Sequence, residues 1–171
     1  MKYDMSYDSP KSLANKNLQK IMQFYLLECP VEGKSHRGKT FHEYGYKGAP
    51  SFSKLKSELL KSATTSLRQN YYPCKKEDLQ EIFKKCKKIG YPDEYCVFLK
   101  SDEKSVVRSM FSAIRNAFAH GSFNVKEYKG TRIYYFSNYN DYEKARIILH
   151  EETLLSWIRV VKTESQKNTT G

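Results

Sequence analysis

Apolar positions at Leu18, Ile21, Met22, Tyr25 and Leu26 recur at the spacing of one buried helical face, so a first helix is predicted from Ser9-Pro10 to about Cys29, stopped by Pro30. Phe52, Leu55, Leu59, Ala63 and Leu67 predict a second helix. Leu79, Ile82, Phe83, Cys86 and Ile89 predict a third, which ends at Gly90 with Pro92 beyond. Ser101 followed by Asp102 and Glu103 reads as the cap and acidic first turn of a fourth helix reaching His120, where Gly121 stops it. The period then changes. Phe123 to Tyr128 and Thr131 to Phe136 flank Lys129-Gly130 as two strands, and Ala145 to Leu149 reads as a third. A last helix, about Glu151 to Lys162, carries Leu154, Leu155, Ile158 and Val161, and the polar tail 164–171 is expected to fray.

Between Pro30 and Pro50 no period survives. Four glycines alternate there with Lys34, His36, Arg37, Lys39 and Lys47, which predicts a long basic loop. Loops of this length in small domains are often functional.

At 171 residues the chain can enclose one real core, and a single domain over 1–163 is expected. Its 14 tyrosines and 9 phenylalanines imply an aromatic core. The excess of 30 Lys+Arg over 19 Asp+Glu, a net charge of +11, favours polyanions such as nucleic acid or an anionic membrane surface. No apolar run approaches the ~20 residues that span a bilayer, and Met1-Lys2-Tyr3-Asp4 lacks the order of a signal peptide, so a cytoplasmic protein is expected. Cys29, Cys74, Cys86 and Cys96 form no close pair, which argues for reduced, buried thiols and against a zinc or redox motif. His36, His42 and Cys29 also lack metal-ligand spacing, and no cofactor or metal is expected. The formal sequon Asn168-Thr169-Thr170 carries no weight without a secretion signal.

The fourth helix holds the densest chemistry. At about 100° per residue, Val107, Met110, Phe111, Ile114 and Phe118 form a core stripe. The opposite arc carries Arg108, Ser112, Arg115, Asn116 and His120, with Ala113, Ala117 and Ala119 small enough for a second helix to approach. Asn116 and His120 stand one turn apart, so the amide could hydrogen-bond the imidazole and fix its tautomer. Arg115 lies about 140° from His120 on the same helix, and the two diverge unless a second copy packs alongside.

Arg115-Asn116-Ala117-Phe118-Ala119-His120 resembles the RNxxxH form of the RX4-6H signature of HEPN domains. The resemblance implies a mainly α fold, an antiparallel helical bundle with a small β-hairpin or three-stranded insertion after the motif helix. It also implies a homodimeric, metal-independent RNA endonuclease, of the kind found among toxins and anti-phage defence proteins, with an antitoxin or defence-complex partner possible. The ribose 2′-hydroxyl would attack the adjacent phosphate to leave a cyclic phosphate and a 5′-hydroxyl. His120 would move protons, Arg115 would stabilise the charged phosphorane, and Asn116 would orient. Arg108 and Ser112 share that polar face as RNA contacts. Gly121 stands where many HEPN toxins carry the tyrosine modified by a partner, which weakens a paired-antitoxin reading. The alternative is a non-catalytic HEPN-like RNA-binding or protein-interaction module, with Arg115 a surface cation and His120 a helix cap.

Gly33-Lys34-Ser35-His36-Arg37-Gly38-Lys39-Thr40 also matches the nucleotide-binding pattern G-x4-G-K-T. A P-loop needs a strand before it and a helix after it, and the sequence predicts neither. The same loop reads better as an RNA contact, with Lys34, Arg37 and Lys39 for phosphates and Phe41, Tyr44 and Tyr46 for stacking on bases; a mobile solvated loop reads equally well.

Overall fold

The computed structural model describes residues 15–87, 89, 93–102 and 104–167, with side chains as far as 163. The fold is α+β around a five-stranded mixed sheet, and this corrects the mainly helical bundle expected from the sequence. Helix α1 spans Lys16–Met22 and continues into one π-helical turn, Gln23–Leu27. Then come α2 (Gly48–Lys61), α3 (Thr65–Gln69), β1 (Tyr71–Cys74), α4 (Leu79–Cys86), β2 (Tyr95–Leu99) and α5 (Val106–Ala119). The chain finishes with β3 (Phe123–Tyr128), β4 (Thr131–Tyr139), β5 (Glu143–His150) and α6 (Glu151–Lys167).

Sheet order is β1-β2-β5-β4-β3, with β1 and β2 parallel and the remaining pairs antiparallel. The strands expected after the motif helix are therefore present, but they are three of five and build the core sheet. The two unexpected strands have physical reasons to be inconspicuous. Tyr95, Cys96, Val97 and Phe98 are all buried because β2 is covered on both faces, which erases the two-residue alternation. β1 is an edge strand of four residues, and Pro73 is tolerated in it for that reason. Lys129 and Gly130 both take positive φ (49° and 78°), forming the two-residue turn that joins β3 to β4.

One sheet face, carrying Cys96, Phe98, Tyr134, Phe136, Ile147 and Leu149, packs into the main core together with residues of α1, α2, α5 and α6. Trp157 of α6 is fully buried there, its indole N–H donating to the Leu59 carbonyl at 2.9 Å. The other face presents Cys74, Tyr95 and Val97 to Leu79, Phe83 and Cys86 of α4.

Three further expectations need correction. The apolar spacing from Phe52 to Leu67 continues through a break. The Thr64 hydroxyl accepts the Leu67 N–H as the cap of a new helix and is itself held by the buried Glu94 carboxylate, so one predicted helix becomes α2 and α3. Ser105, not Ser101, caps α5, accepting the Arg108 N–H at 3.2 Å. Ser101 instead donates its N–H to the Ser109 hydroxyl, so Ser101 and Asp102 precede α5. The tail begins later than expected because α6 runs to Lys167. The proposed start at Ser9-Pro10, the stop at Gly90 and Pro92, Glu103 and the sequon at Asn168 lie outside the described residues; the described helix begins under an Asn15 cap.

Candidate functional site

α5 is wedged between the π-helical turn, α2 and the sheet. Val107, Met110, Phe111, Ile114 and Phe118 are buried as the wheel predicts, with Ala113 and Ala117 beside them. Phe111 sits in an aromatic cluster with Phe24, Tyr25, Phe41 and Trp157. Phe118 meets Phe123 and Phe136 with ring centroids 4.8 and 5.1 Å apart.

The helix ends at His120 in the cap position. The Ser122 N–H bonds the Ala117 carbonyl at 2.8 Å and the Gly121 N–H bonds that of Phe118 at 3.2 Å, which is a Schellman closure. Gly121 has φ +65°, a conformation that side chains with a Cβ resist. This closure leaves His120 exposed at the carboxyl end of the helix.

The polar arc is real. It is also poorly satisfied. Arg108, Ser112 and Arg115 follow one another at four and three residues, and the Nε of Arg108, the Oγ of Ser112 and the Nε of Arg115 are all buried without a hydrogen-bond partner among the described residues. Leaving such a group unpaired costs about 1–3 kcal/mol. The Arg108 guanidinium stacks on Phe52 of α2 at 4.7 Å. Arg115 lies close enough to Cys29 and Lys34 for its charge to be felt by both. Burial pushes the Cys29 thiol up to about 11, an effect moderated by the Val31 N–H and by the cations Arg115 and Lys34. Partial burial, with Lys104 and Arg115 nearby, holds the Lys34 ammonium below the ordinary lysine range. Lys34, Lys104 and Arg115 thus form a cluster of like charges, and no described carboxylate pairs with any of them.

Other expected contacts do not form. Asn116 and His120 share only the helical N–H···O bond, 3.0 Å from His120 N to Asn116 O, with no side-chain link. Asn116 instead lines a pocket of about 160 Å³ beside Lys104, Ser109, Ser112 and Asn138. Arg115 and His120 remain apart within one chain. Of the three alanines expected to admit a second helix, Ala113 and Ala117 are buried within this chain, and the Ala113 carbonyl accepts from Asn138 at 2.7 Å. Ala119 alone is exposed.

The basic loop is ordered by the aromatics that were expected to stack on bases. Phe41 and Tyr46 are buried, and Phe41 packs edge-on against Phe52 and Phe111 at 5.6 and 5.2 Å. Tyr46 donates its hydroxyl to the Val161 carbonyl at 3.1 Å. Only Tyr44 stays half-buried, so base stacking by Phe41 and Tyr46 is ruled out. A Cβ on Gly38 would come within 2.7 Å of the Glu28 Cβ, so only glycine lets the loop return this close to the π-helical turn. Lys34 is half-buried while Arg37 and Lys39 are exposed.

The nucleotide-binding match does not have P-loop geometry. A π-helical turn precedes it instead of a strand, and turns follow Thr40 instead of a helix. The Thr40 hydroxyl and N–H both donate to Glu43, at 2.8 and 2.7 Å, and these bonds hold the Glu43 carboxyl below its usual range.

Sequence reasoning missed Lys104 and Asn138. Neither belongs to a motif, and only the fold brings β4 and the segment leading into α5 to the same pocket. All four cysteines are free and buried, no group of three or more metal-binding side chains occurs among the described residues, and no described helix is long and apolar enough to cross a membrane. No family model, curated protein or solved structure matches this chain.

Proposed function

We propose that this protein is a metal-independent RNA endonuclease of HEPN type, acting in toxin or anti-phage defence, with a site composed across a homodimer. The carrying observation is the half-buried, unsatisfied polar stripe of α5. It joins the unpartnered Arg115 and the neighbouring Lys34 to an exposed His120 at the helix end. Arg115 and Lys34 suit phosphate oxygens, because a planar guanidinium and an ammonium without carboxylate partners gain most from a bound anion. His120 is open to solvent and carries an imidazole able to take a proton from a 2′-hydroxyl or give one to a leaving 5′-oxygen. Two helices placed side by side would supply the arginine of one copy to the histidine of the other. Arg37 and Lys39 are outer electrostatic contacts for the same polymer.

A second reading has its own support. The missing Asn116–His120 contact and the open position of His120 suit a module that binds RNA or a partner without cutting.

Incubating RNA with the protein in EDTA separates the two. The endonuclease reading expects 2′,3′-cyclic phosphate and 5′-hydroxyl ends, a solution mass near twice 20.1 kDa, and partial recovery of cutting when Arg115→Ala and His120→Ala chains are mixed. RNA that is bound and released whole by the wild type would leave the binding module standing.

A further inference from the structure

The pocket beside Ser112 carries no role in the reading above. It lies between the residues leading into α5 and the β4–β5 end of the sheet, and it holds about 160 Å³. Lys104, Ser112 and Asn116 all line it, and no carboxylate is found among its described lining residues. The Ser112 hydroxyl is buried and lacks even the bond to a preceding helical carbonyl that a mid-helix serine commonly makes. The neighbouring Asn138 and Ser109 are already engaged, Asn138 with the Ala113 carbonyl and Ser109 with the Ser105 carbonyl and the Ser101 N–H. Lys144 also borders the pocket, but its ammonium rests over the Tyr142 ring at 5.4 Å. The lining side-chain donors left without a bond among the described residues are therefore Lys104, Ser112, Asn116 and the Ser101 hydroxyl, and of these only the Ser112 hydroxyl is a fully buried orphan. Lys34 adds its charge from the loop side.

We propose that this pocket is a second phosphate subsite for RNA, in which the Lys104 ammonium, the Ser112 hydroxyl and the Asn116 amide hold a backbone phosphate next to the one held by Arg115. The inference rests on the RNA reading and deepens it. It also reassigns Asn116, which becomes a substrate contact instead of an orienter of His120. A phosphate gives Ser112 the acceptor it lacks and places a negative charge among Lys34, Lys104 and Arg115, where like charges otherwise repel. Because Ser112 belongs to both the orphaned stripe and the pocket, the two phosphates lie along one strand following the axis of α5.

The test uses the full chain and a 2′-O-methyl hexauridylate, which cannot be cut, so binding is read separately from catalysis. Lys104→Gln should weaken binding about tenfold at low salt, the size of one charge-assisted bond. It should also flatten the dependence of log K on log salt by about 0.7, one phosphate contact on a single strand. Ser112→Ala and Asn116→Ala should each weaken binding about threefold, and Lys126→Gln, on the far sheet face, serves as the charge control. With cleavable RNA, Asn116→Ala should raise KM and leave the pH–rate profile in place; a displaced profile would return Asn116 to orienting His120. Wild-type affinity and salt slope in Lys104→Gln would overturn the subsite. Inorganic phosphate displacing the oligomer at concentrations equal to that of the oligomer itself would show a free-anion site instead of a polymer site. An oligomer held through Lys104 by a protein that never cuts RNA would keep the subsite and remove the nuclease.

Discussion

The two sides of α5 are built from the same fourteen residues and treat their polar and apolar groups in opposite ways. On the core side every side chain finds close neighbours, and Phe111 alone stacks or packs edge-on with four aromatic rings. On the other side three buried polar atoms in succession find no partner among the described residues. Of the four buried polar atoms without a partner among the described residues, three fall in this one row and the fourth is the Tyr71 hydroxyl, packed against the main core; an arginine, a serine and a second arginine left unsatisfied together are a concentration that packing alone does not require. Buried polar groups are hydrogen-bonded in nearly all native proteins, so a row of exceptions marks a surface completed by something else.

The largest expected effect breaks that comparison at the polar end. His120→Ala should lower the rate of RNA cleavage by about 10²- to 10⁴-fold, the usual worth of a general acid or base, while denaturant unfolding shifts by less than about 0.5 kcal/mol because the residue is exposed. Phe118→Ala attacks the core side and should cost about 3–5 kcal/mol in urea unfolding, since its ring is buried against Phe123 and Phe136. A loss under 1 kcal/mol would mean that the helix faces the other way. Arg115→Met sharpens the contrast most. It should abolish cleavage yet leave stability unchanged or raised by up to about 1 kcal/mol, because an apolar side chain replaces a partly buried cation that has no partner. A strongly destabilised Arg115→Met would show that the guanidinium is structural. The smallest effect is at the helix end, where Gly121→Ala should cost about 1 kcal/mol by straining a positive φ, measured as a modest fall in Tm.

Legibility of the sequence followed how far each signal is local. The core stripe of α5 was readable because Val107, Met110, Phe111, Ile114 and Phe118 depend only on helical period, and the hairpin was readable because Lys129-Gly130 sits between two alternating runs. The sheet as a whole was not. Tyr95 to Leu99 is apolar without alternation, and only the pairing of Cys96 with Ile147 gives it a strand's surroundings. Phe41 and Tyr46 misled for a related reason, since an aromatic in a basic loop reads alike whether it faces a base or anchors the loop, and here both are buried in the core. At the candidate site, Arg108, Ser112 and Arg115 were legible as one face, and the approach of Lys34 to Arg115 was expected only as membership of a common RNA surface. The contribution of Lys104 depends on chain geometry that no local pattern encodes.

The central pairing of β2 with β5 carries a consequence for timing. Cys96 must wait for Ile147, and α5 lies in the long loop that this pairing closes. Closing such a loop has an entropic cost that non-local contacts recover only after they form, so the sheet under α5 assembles late. As the chain emerges from the ribosome, α5 is made after the π-helical turn, α2 and β2 but before β4 and β5, so part of the surface it packs against is missing until those two strands arrive. The pocket beside Ser112, lined in part by Asn138 and Ala145, is therefore unfinished until β4 and β5 are in place. On the proposed reading, the second phosphate subsite is in this way withheld until β5 has been made.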